Sequence, residues 1–319
     1  MFGFATTVDD VIDGVDLSGK TAVVTGGSSG LGLQTVRALA SAGAEVIAAV
    51  RDPESFRAGR EWADIAGQPD RIIQLVALDL ADLSSVRSAA DAIAAQHPRV
   101  DILVNNAGVM FTPHGTTVDG FELQFGIDHL GHFLLTTLLL PQLRAAATAT
   151  GDARVVTVSS EAHRNWAIDL SDINFERRKY DTFLAYGQAK SANVLMTVEL
   201  ERRYGADGIT ALAVHPGTCA TKLGRYMDRA TAKTLFAMSE GSDTFAPENM
   251  KSPAQAAATS VWAATAAGLA GHGGNYVADC QLTTAAPEAT DPNTARELWL
   301  LSQQWVAPAA VGSRCPPER

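Results

Sequence analysis

Short runs of apolar, mostly β-branched residues alternate along this chain with longer segments rich in alanine and leucine. The runs are Thr21–Val24, Glu45–Val50, Ile72–Leu78, Asp101–Val104, Arg154–Val158, Ile209–Val214 and Asn275–Val277. Each interval between them is long enough for a helix that crosses back over a sheet. Near-continuous apolar strands separated by helices are typical of a parallel sheet that is covered on both faces. The sequence therefore predicts a doubly wound α/β fold with a parallel sheet of about seven strands.

The chain is expected to form a single main domain. Its length of 319 residues would admit two domains, but no linker, repeat or change in composition divides it. We expect an N-terminal extension over residues 1–16, the main domain over 17–285, and a C-terminal helix and tail over 286–319. Residues 222–251 depart from the alternating pattern, with Met227 and Phe245 among small and charged residues. Such segments often cover a pocket, so we predict a substrate lid at about 222–251.

Charge and cysteine content restrict the partners and the compartment. The net charge of -10 argues against nucleic acid and anionic membranes, because neither attracts an acidic protein surface. The three cysteines, Cys219, Cys280 and Cys315, are too widely spaced for a zinc site and indicate no disulfide framework. The acidic N-terminus lacks the apolar stretch of a secretory signal. We expect a cytoplasmic protein that binds no membrane.

A glycine-rich turn follows the first predicted strand and opens the first helical pattern. It reads Thr25-Gly26-Gly27-Ser28-Ser29-Gly30-Leu31-Gly32. Glycines allow phosphate oxygens to approach the backbone, and the start of a helix supplies unpaired N–H groups. The turn is therefore a predicted dinucleotide site, with an ordinary turn as the alternative. The predicted contacts are Gly26, Ser28, Ser29, Gly30, Leu31 and Gly32.

The spacing T-G-x-x-x-G-x-G resembles that of the short-chain dehydrogenase/reductase family. Later segments, Ser252-Pro253, Ala257–Val261 and Gly273-Gly274-Asn275-Tyr276, resemble the retinol-dehydrogenase-like and WW-domain-oxidoreductase-like branch. The resemblance extends from Leu17 to about Cys280 and implies one Rossmann-type domain. It also implies an oxidoreductase that transfers hydride between a nicotinamide cofactor and a carbonyl or alcohol carbon. Because that branch acts on apolar compounds, a small apolar carbonyl or alcohol is the expected substrate.

Several segments at predicted strand ends resemble the family's cofactor contacts. They are Asp79-Leu80, Asn105-Asn106-Ala107-Gly108, and Pro216-Gly217-Thr218 with Thr221. In the family the first segment contacts adenine. The last forms a turn beneath the nicotinamide, where hydroxyl groups can bind the carboxamide or the diphosphate. Parallel strands place all of these segments at one edge of the sheet, where open α/β sheets bind ligands.

Arg51 indicates which cofactor is preferred. In the family, NAD-specific members usually carry an acid at the position of Val50, and NADP-preferring members often carry arginine at the next position. A guanidinium group pairs well with the 2′-phosphate of NADP. NADP(H) is therefore the preferred cofactor and NAD(H) the alternative. A surface ion pair between Arg51 and Asp52 is the competing interpretation.

Tyr186 and Lys190 are one helical turn apart, so their side chains are expected on the same helix face. A nearby ammonium group favours phenolate and would lower the pKa of Tyr186. Ser160 ends a predicted strand 26 residues before Tyr186. The resemblance implies that Ser160 orients the substrate oxygen while Tyr186 acts as general acid and base. It also implies that Tyr186 and Lys190 contact the cofactor, with Lys190 on the nicotinamide ribose.

Asp128 departs from the family pattern. It opens Asp128-His129-Leu130-Gly131-His132-Phe133, which resembles an N-H-L-G-H-F motif whose asparagine takes part in catalysis. A carboxylate near Lys190 would oppose the lowering of the Tyr186 pKa, so we expect a working but shifted proton relay. His129 and His132 lack a third ligand at suitable spacing, and no metal is expected.

Two further expectations concern function and assembly. A redox sensor or scaffold that binds the nucleotide without turnover is the alternative to an enzyme. Apolar helices over Phe133–Leu143 and Tyr186–Leu200 could pair two copies into a homo-oligomer.

Overall fold

The structure is a computed structural model that describes residues 2–67, 71–238 and 249–308, without the side chains of Phe236 and Met238. Its strands are β1 (Thr21–Thr25), β2 (Glu45–Val50), β3 (Ile72–Ala77), β4 (Ile102–Asn105), β5 (Ala153–Val158), β6 (Ile209–His215), β7 (Thr218–Cys219), β8 (Met250–Lys251), β9 (Tyr276–Ala278) and β10 (Gln281–Thr283). Within the described residues, eight of them form one sheet in the order β10-β9-β6-β5-β4-β1-β2-β3.

The predicted doubly wound, Rossmann-type fold is confirmed. Seven strands of this sheet, β1 to β6 and β9, run parallel, and only β10 is antiparallel to its neighbour β9. The sheet thus has one strand more than the seven that the sequence predicts. That strand, Gln281–Thr283, is exposed throughout and lacks the apolar run of the buried strands. Strands β7 and β8 pair with each other outside the main sheet.

Helices cover both faces of the sheet. They are α1 (Val8–Ile12), α2 (Gly30–Ser41), α3 (Pro53–Arg57), α4 (Arg60–Ala66), α5 (Leu83–Gln96), α6 (Leu123–Phe125), α7 (Gly131–Leu138), α8 (Leu140–Thr150), α9 (Thr182–Tyr204), α10 (Arg229–Met238), α11 (Pro253–Thr265) and α12 (Pro292–Trp305). A π-helical turn, Gly126–Leu130, joins α6 to α7. Short 3₁₀ turns comprise Glu161–Arg164, Gly205–Asp207, Lys222–Tyr226, Ala267–Leu269 and Pro287–Ala289.

The two faces of the sheet carry two separate apolar cores. One core contains α1, α2 and α11, and the other contains α5, α7, α8, α9 and α12. Val8 and Val11 of the predicted N-terminal extension are buried in the first core. Several helix starts are capped by side chains; Asp181, for example, accepts hydrogen bonds from the first N–H groups of α9. The predicted domain boundaries at residues 16 and 285 stay predictions.

Helix α12 covers the apolar helices that we expected to pair between two copies. The Trp299 ring lies edge-on to Phe133, with ring centres 4.9 Å apart, and both side chains are buried. Leu143 and Leu195 lie in the same core. The homo-oligomer stays a prediction. These two helices no longer support it, because their apolar side chains are already buried within one chain.

Part of the predicted lid is described. It contains α10 and β8, whereas Phe245 and the rest of residues 239–248 lie outside the described residues. Cys219 and Cys280 are free thiols, and Cys315 lies outside the described residues. In the described ranges, no helix has both the length and the apolar character needed to cross a membrane.

Candidate active site

The glycine-rich turn lies between β1 and α2, next to the point where the strand order reverses from β1 to β4. Gly26 and Gly30 adopt φ values of +67° and +55°, which favour glycine. A Cβ atom on Gly32 would collide with the carbonyl oxygen of Gly26. The backbone is therefore folded tightly enough that larger residues would not fit at Gly32.

The start of α2 has no side-chain cap. Ser29 occupies the N-cap position but makes no capping hydrogen bond, whereas α5, α9 and α12 are each capped by an aspartate. Thr221 lies opposite the turn, since a Cβ atom on Gly30 would be 3.6 Å from its side chain. Uncapped N–H groups at a helix start attract anions. The cradle from Gly26 to Gly32, including Ser28 and Leu31, thus fits a diphosphate.

Arg51 is exposed directly after β2. The Asp52 carboxylate accepts a hydrogen bond from the Ser55 N–H at 2.8 Å and caps α3. Among the described residues, no ion pair joins Arg51 to Asp52, so the competing interpretation of a surface pair is not found. Arg51 is available to an anion at this edge of the sheet.

Asp79 and Leu80 follow β3 at the same edge. The Asp79 carboxylate accepts the Ala81 N–H at 2.9 Å, which shapes the turn. Leu80 is buried against Gly131, where an added Cβ atom would lie 2.8 Å from the Leu80 carbonyl oxygen. This contact brings the start of α7 up to the end of β3.

The Asn105–Gly108 turn is anchored by Thr25, which is not among the site residues that the sequence predicts. The Thr25 hydroxyl accepts hydrogen bonds from the N–H groups of Asn106 and Ala107 at 2.9 and 3.0 Å. The Asn106 amide donates to the Thr25 carbonyl at 2.8 Å. The sequence does contain a pointer to this role, because Thr25 is the first residue of the T-G-x-x-x-G-x-G motif. Its hydroxyl fixes the end of β4 to the start of the glycine-rich turn.

Tyr186 and Lys190 lie on one face of α9, as predicted, and both are buried. The Lys190 Nζ atom is 5.4 Å from the centre of the Tyr186 ring. The Ser160 hydroxyl accepts the Ala162 N–H at 3.2 Å and is close enough to the phenol to lower the pKa of Tyr186. Ser159 has a different role, because its hydroxyl donates to the Lys190 carbonyl at 2.8 Å. The structure therefore brings Ser160, Tyr186 and Lys190 together.

Asp128 lies within the π-helical turn and forms an ion pair with Lys190. The Asp128 Oδ2 and Lys190 Nζ atoms are 2.9 Å apart, and both side chains are buried. The Val109 N–H donates to Asp128 Oδ1 at 2.8 Å. π-Helical turns are common at functional sites because they displace a side chain from its regular helical position. Asp128 is thereby placed against the Asn105–Gly108 turn and the lysine.

Burial dominates the electrostatics of this group. It raises the pKa of Tyr186 above its usual value, because desolvation outweighs the favourable charge of Lys190. Lys190 lowers that pKa, as the sequence predicts, but burial raises it by more, so the net shift in the protein alone is upward. Asp128 also raises that pKa, in the direction we predicted. Burial disfavours the Lys190 ammonium, but Asp128 and Tyr186 outweigh burial and raise the pKa of Lys190. Burial raises the pKa of Asp128 against the opposing charge of Lys190.

His132 links Asp128 to Thr25. Its Nδ1 atom lies 3.0 Å from the Asp128 carbonyl, which can only accept, so Nδ1 carries the proton. Burial lowers the pKa of His132 to about 4, and its unprotonated Nε2 accepts from the Thr25 hydroxyl at 2.8 Å. His129 contacts Ser302 instead, and burial lowers its pKa to about 3. In the part of the chain that is described, no cluster of three His, Cys, Asp or Glu side chains is arranged for a metal.

The Pro216–Thr218 loop follows β6 at the same edge. Gly217 has φ +84°, and a Cβ atom there would lie 2.8 Å from the Lys251 side chain. Lys251 is buried and forms an ion pair with Asp279. Thr218 belongs to β7, which pairs with β8. The buried Lys251 side chain therefore packs against the loop at Gly217.

An apolar cluster surrounds the phenol. Phe111, Phe183 and Tyr186 are buried together, and partly buried neighbours pack against them. These neighbours are Met110, Ala162, Trp166, Met227 and Leu235. Met227 and Leu235 come from the predicted lid, so the described part of the lid reaches the candidate active site.

Comparison with known proteins assigns the family. Residues 20–232 match the short chain dehydrogenase family. The chain is 42% identical to human retinol dehydrogenase 13 over 325 aligned residues, which cover 99% of this chain and 95% of that protein. It belongs to the short-chain dehydrogenase/reductase family. The predicted retinol-dehydrogenase-like branch is confirmed, and the protein is an oxidoreductase of this family.

Other members show the same relationship. A probable oxidoreductase from Streptomyces lividans is 43% identical over 297 residues, which cover 89% of this chain and 97% of that protein. An uncharacterised Mycobacterium paratuberculosis protein of known structure superimposes with a TM-score of 0.71 at 37% identity, covering 95% of this chain and 97% of that one. RhlG from Pseudomonas aeruginosa, solved with NADP, has a TM-score of 0.64 at 28% identity, covering 82% of this chain and 95% of that one.

Proposed function

We propose that this family member is an NADP(H)-dependent oxidoreductase that interconverts an apolar carbonyl compound and its alcohol. The observation that carries the proposal is the position of Ser160, Tyr186 and Lys190 together at the carboxyl edge of the sheet, beside the uncapped start of α2. Hydride transfer needs a nucleotide site and a proton donor side by side. This edge of the sheet offers both.

The residues at this edge fit a dinucleotide. The bound nicotinamide cofactor supplies hydride in reduction and accepts it in oxidation. The uncapped α2 turn and Thr221 would hold the diphosphate, and Arg51 would pair with the 2′-phosphate of NADP. RhlG, a relative solved with NADP, supports this preference. The remaining proposed contacts are Asp79, Leu80, Asn106, Ala107, Gly108, Pro216, Gly217 and Thr218.

Tyr186 is the proposed proton donor and acceptor. In reduction, Ser160 orients the substrate oxygen with a hydrogen bond, and Tyr186 gives that oxygen its phenolic proton. In oxidation, Tyr186 removes the hydroxyl proton of the alcohol. The Lys190 ammonium stabilises the phenolate that remains, because it lies 5.4 Å from the ring centre in a buried site. Lys190 would also hold the nicotinamide ribose.

Asp128 replaces the asparagine of the family in this proposal. Its ion pair with Lys190 keeps the lysine protonated and adds a negative charge beside the phenol. That charge favours the protonated form of Tyr186. Tyr186 therefore keeps its phenolic proton at a higher pH than it would without Asp128. This suits proton donation in reduction.

The apolar cluster around Tyr186 supports an apolar substrate. Phe111, in the loop after β4, packs on the Tyr186 ring, and Phe183 of α9 packs on Phe111. Met227 belongs to the same apolar cluster. The similarity to retinol dehydrogenase 13 agrees with this chemistry. Apolar walls with a few polar groups at the reacting atoms are typical of small-molecule sites.

A direct assay of NADPH oxidation in the presence of carbonyl compounds tests the proposal. Purified protein is mixed with NADPH and a panel of aldehydes, ketones and quinones, and the nicotinamide absorbance is followed over time. Consumption of NADPH that depends on the carbonyl supports the proposal. Binding of NADPH without turnover on any member favours a redox sensor or scaffold, and absence of NADPH binding overturns the proposal.

A further inference from the structure

Phe111 adopts a backbone conformation that phenylalanine rarely takes. Its φ angle is +55°, in the left-handed region, and its side chain is 6% exposed. The Phe111 N–H donates a hydrogen bond to Oε1 of Gln124 at 2.8 Å. Gln124 is fully buried. An unfavourable conformation persists only where its surroundings hold it, and such residues cluster at functional sites.

Gln124 is itself held by the start of the helix that carries Tyr186. Its Nε2 atom donates to the Tyr180 hydroxyl and to the Thr182 carbonyl, each at 3.0 Å. The Thr182 hydroxyl in turn donates to the carbonyl of Thr112, the residue after Phe111, at 2.9 Å. Thr182 is the first residue of α9, one turn before Tyr186. The network therefore fixes Phe111 relative to the phenol.

The Phe111 ring contacts the phenol directly. Ring centres of Phe111 and Tyr186 are 5.3 Å apart at an interplanar angle of 69°. Phe111 also packs on Phe183, with ring centres 4.7 Å apart. Tyr186 is only 5% exposed. A substrate oxygen within hydrogen-bond reach of the phenol brings the reacting carbon, and the groups attached to it, up to this ring.

We propose that Phe111 is a specificity-determining residue that limits the size of one substituent on the reacting carbon. Gln124 is the positioning residue that holds Phe111 in place. The inference rests on the proposed function, because it assigns a role within the same site. A close-packed aromatic ring next to the phenol accommodates hydrogen at that position and excludes a longer alkyl group. Removal of the ring opens space for such a group.

The test compares two carbonyl compounds that share one alkyl chain. Decanal carries hydrogen on the reacting carbon, and 3-dodecanone carries ethyl in its place. The ratio of kcat/KM for the ketone to kcat/KM for the aldehyde is measured with NADPH. Phe111→Ala is expected to raise this ratio by at least about tenfold, because small steric differences in a pocket discriminate substrates by that order. A loss of folded protein or of cofactor affinity lowers both kcat/KM values by the same factor, so it does not change the ratio.

Two further variants separate positioning from general damage. Gln124→Met removes the hydrogen bond to Phe111 and is expected to raise the ratio less than Phe111→Ala does. In the double variant it adds nothing, since the ring that it positions is gone. Phe56→Ala is the matched control, because Phe56 of α3 is also buried but packs on Trp62 of α4. Its ratio should equal that of the wild type.

The outcomes distinguish this inference from the proposed function. Wild-type turnover together with an unchanged ratio in Phe111→Ala overturns the inference alone. If none of the carbonyl compounds tested causes the wild type to consume NADPH, the proposed function is overturned and the inference with it. If Phe111→Ala does not fold, Phe111→Leu keeps an apolar side chain and tests the same ratio. A ratio that stays at the wild-type value in Phe111→Leu then overturns the inference.

Discussion

Replacement of Asp128 by asparagine should shift the pH dependence of alcohol oxidation to lower pH. Asp128 Oδ2 lies 2.9 Å from Lys190 Nζ, and Nζ lies 5.4 Å from the Tyr186 ring centre. The carboxylate oxygen is thus within about 8.3 Å of that ring centre. At an effective dielectric constant of about 20, one charge at this distance changes the phenolate-to-phenol ratio roughly thirtyfold, or about 2 kcal/mol. The ionised Asp128 opposes the phenolate, so Asp128→Asn favours it.

The assay follows kcat/KM for oxidation of a primary alcohol with NADP⁺ from about pH 6 to about pH 10, where a general base is expected to titrate. The rate rises with pH as Tyr186 ionises, and in Asp128→Asn this rise should begin at lower pH. Asp207→Asn is the control, because Asp207 forms an ion pair of 2.9 Å with Arg144 away from the site. An unshifted profile, or a shift to higher pH, would show that the Asp128 charge does not oppose ionisation of Tyr186.

The same variant should also be less stable. Asp128→Asn leaves the buried Lys190 ammonium without its counter-ion, and loss of one partner of a buried pair costs about 3–5 kcal/mol. The profile is therefore measured at a temperature where circular dichroism shows the variant to be folded. An unfolding free energy equal to that of the wild type would indicate that Lys190 gives up its proton when Asp128 is replaced.

Two more predictions concern the cofactor and the core. Arg51→Ala should raise the KM for NADPH by about tenfold or more and leave the KM for NADH unchanged, because a charged hydrogen bond contributes about 1.5–3 kcal/mol. Arg57→Ala, on the adjacent helix, is the control. An equal effect of Arg51→Ala on both cofactors would contradict the assignment of Arg51 to the 2′-phosphate. Trp299→Ala should lower the free energy of unfolding in urea by about 3–5 kcal/mol, because it removes a buried ring from the contact of α12 with Phe133. A loss below about 1 kcal/mol would show that α12 contributes little to the core.

Local patterns in the sequence predicted the parts of the site that depend on local structure. Tyr186 and Lys190 share a helix face because residues four apart on a helix always do. The glycine-rich turn and the strand-end motifs meet at one edge because parallel strands end together. These features need only secondary structure and its order along the chain.

The remaining features depend on contacts between distant residues. The left-handed conformation of Phe111 is set by Gln124, whose own partners lie at the start of α9. The net direction of the Tyr186 pKa depends on how completely the fold buries it, and the sequence pattern does not measure burial. The exposed strand β10 has no apolar run, so only its pairing with β9 reveals it.

Comparison of Tyr186→Phe with the wild type tests whether Tyr186 donates the proton in carbonyl reduction. This change removes the phenolic oxygen and keeps the ring that packs against Phe111. We predict that the variant binds NADPH as the wild type does, while kcat for carbonyl reduction falls by at least about a hundredfold, the typical contribution of a general acid. Turnover by Tyr186→Phe at the wild-type rate would contradict the assignment of Tyr186 as the proton donor.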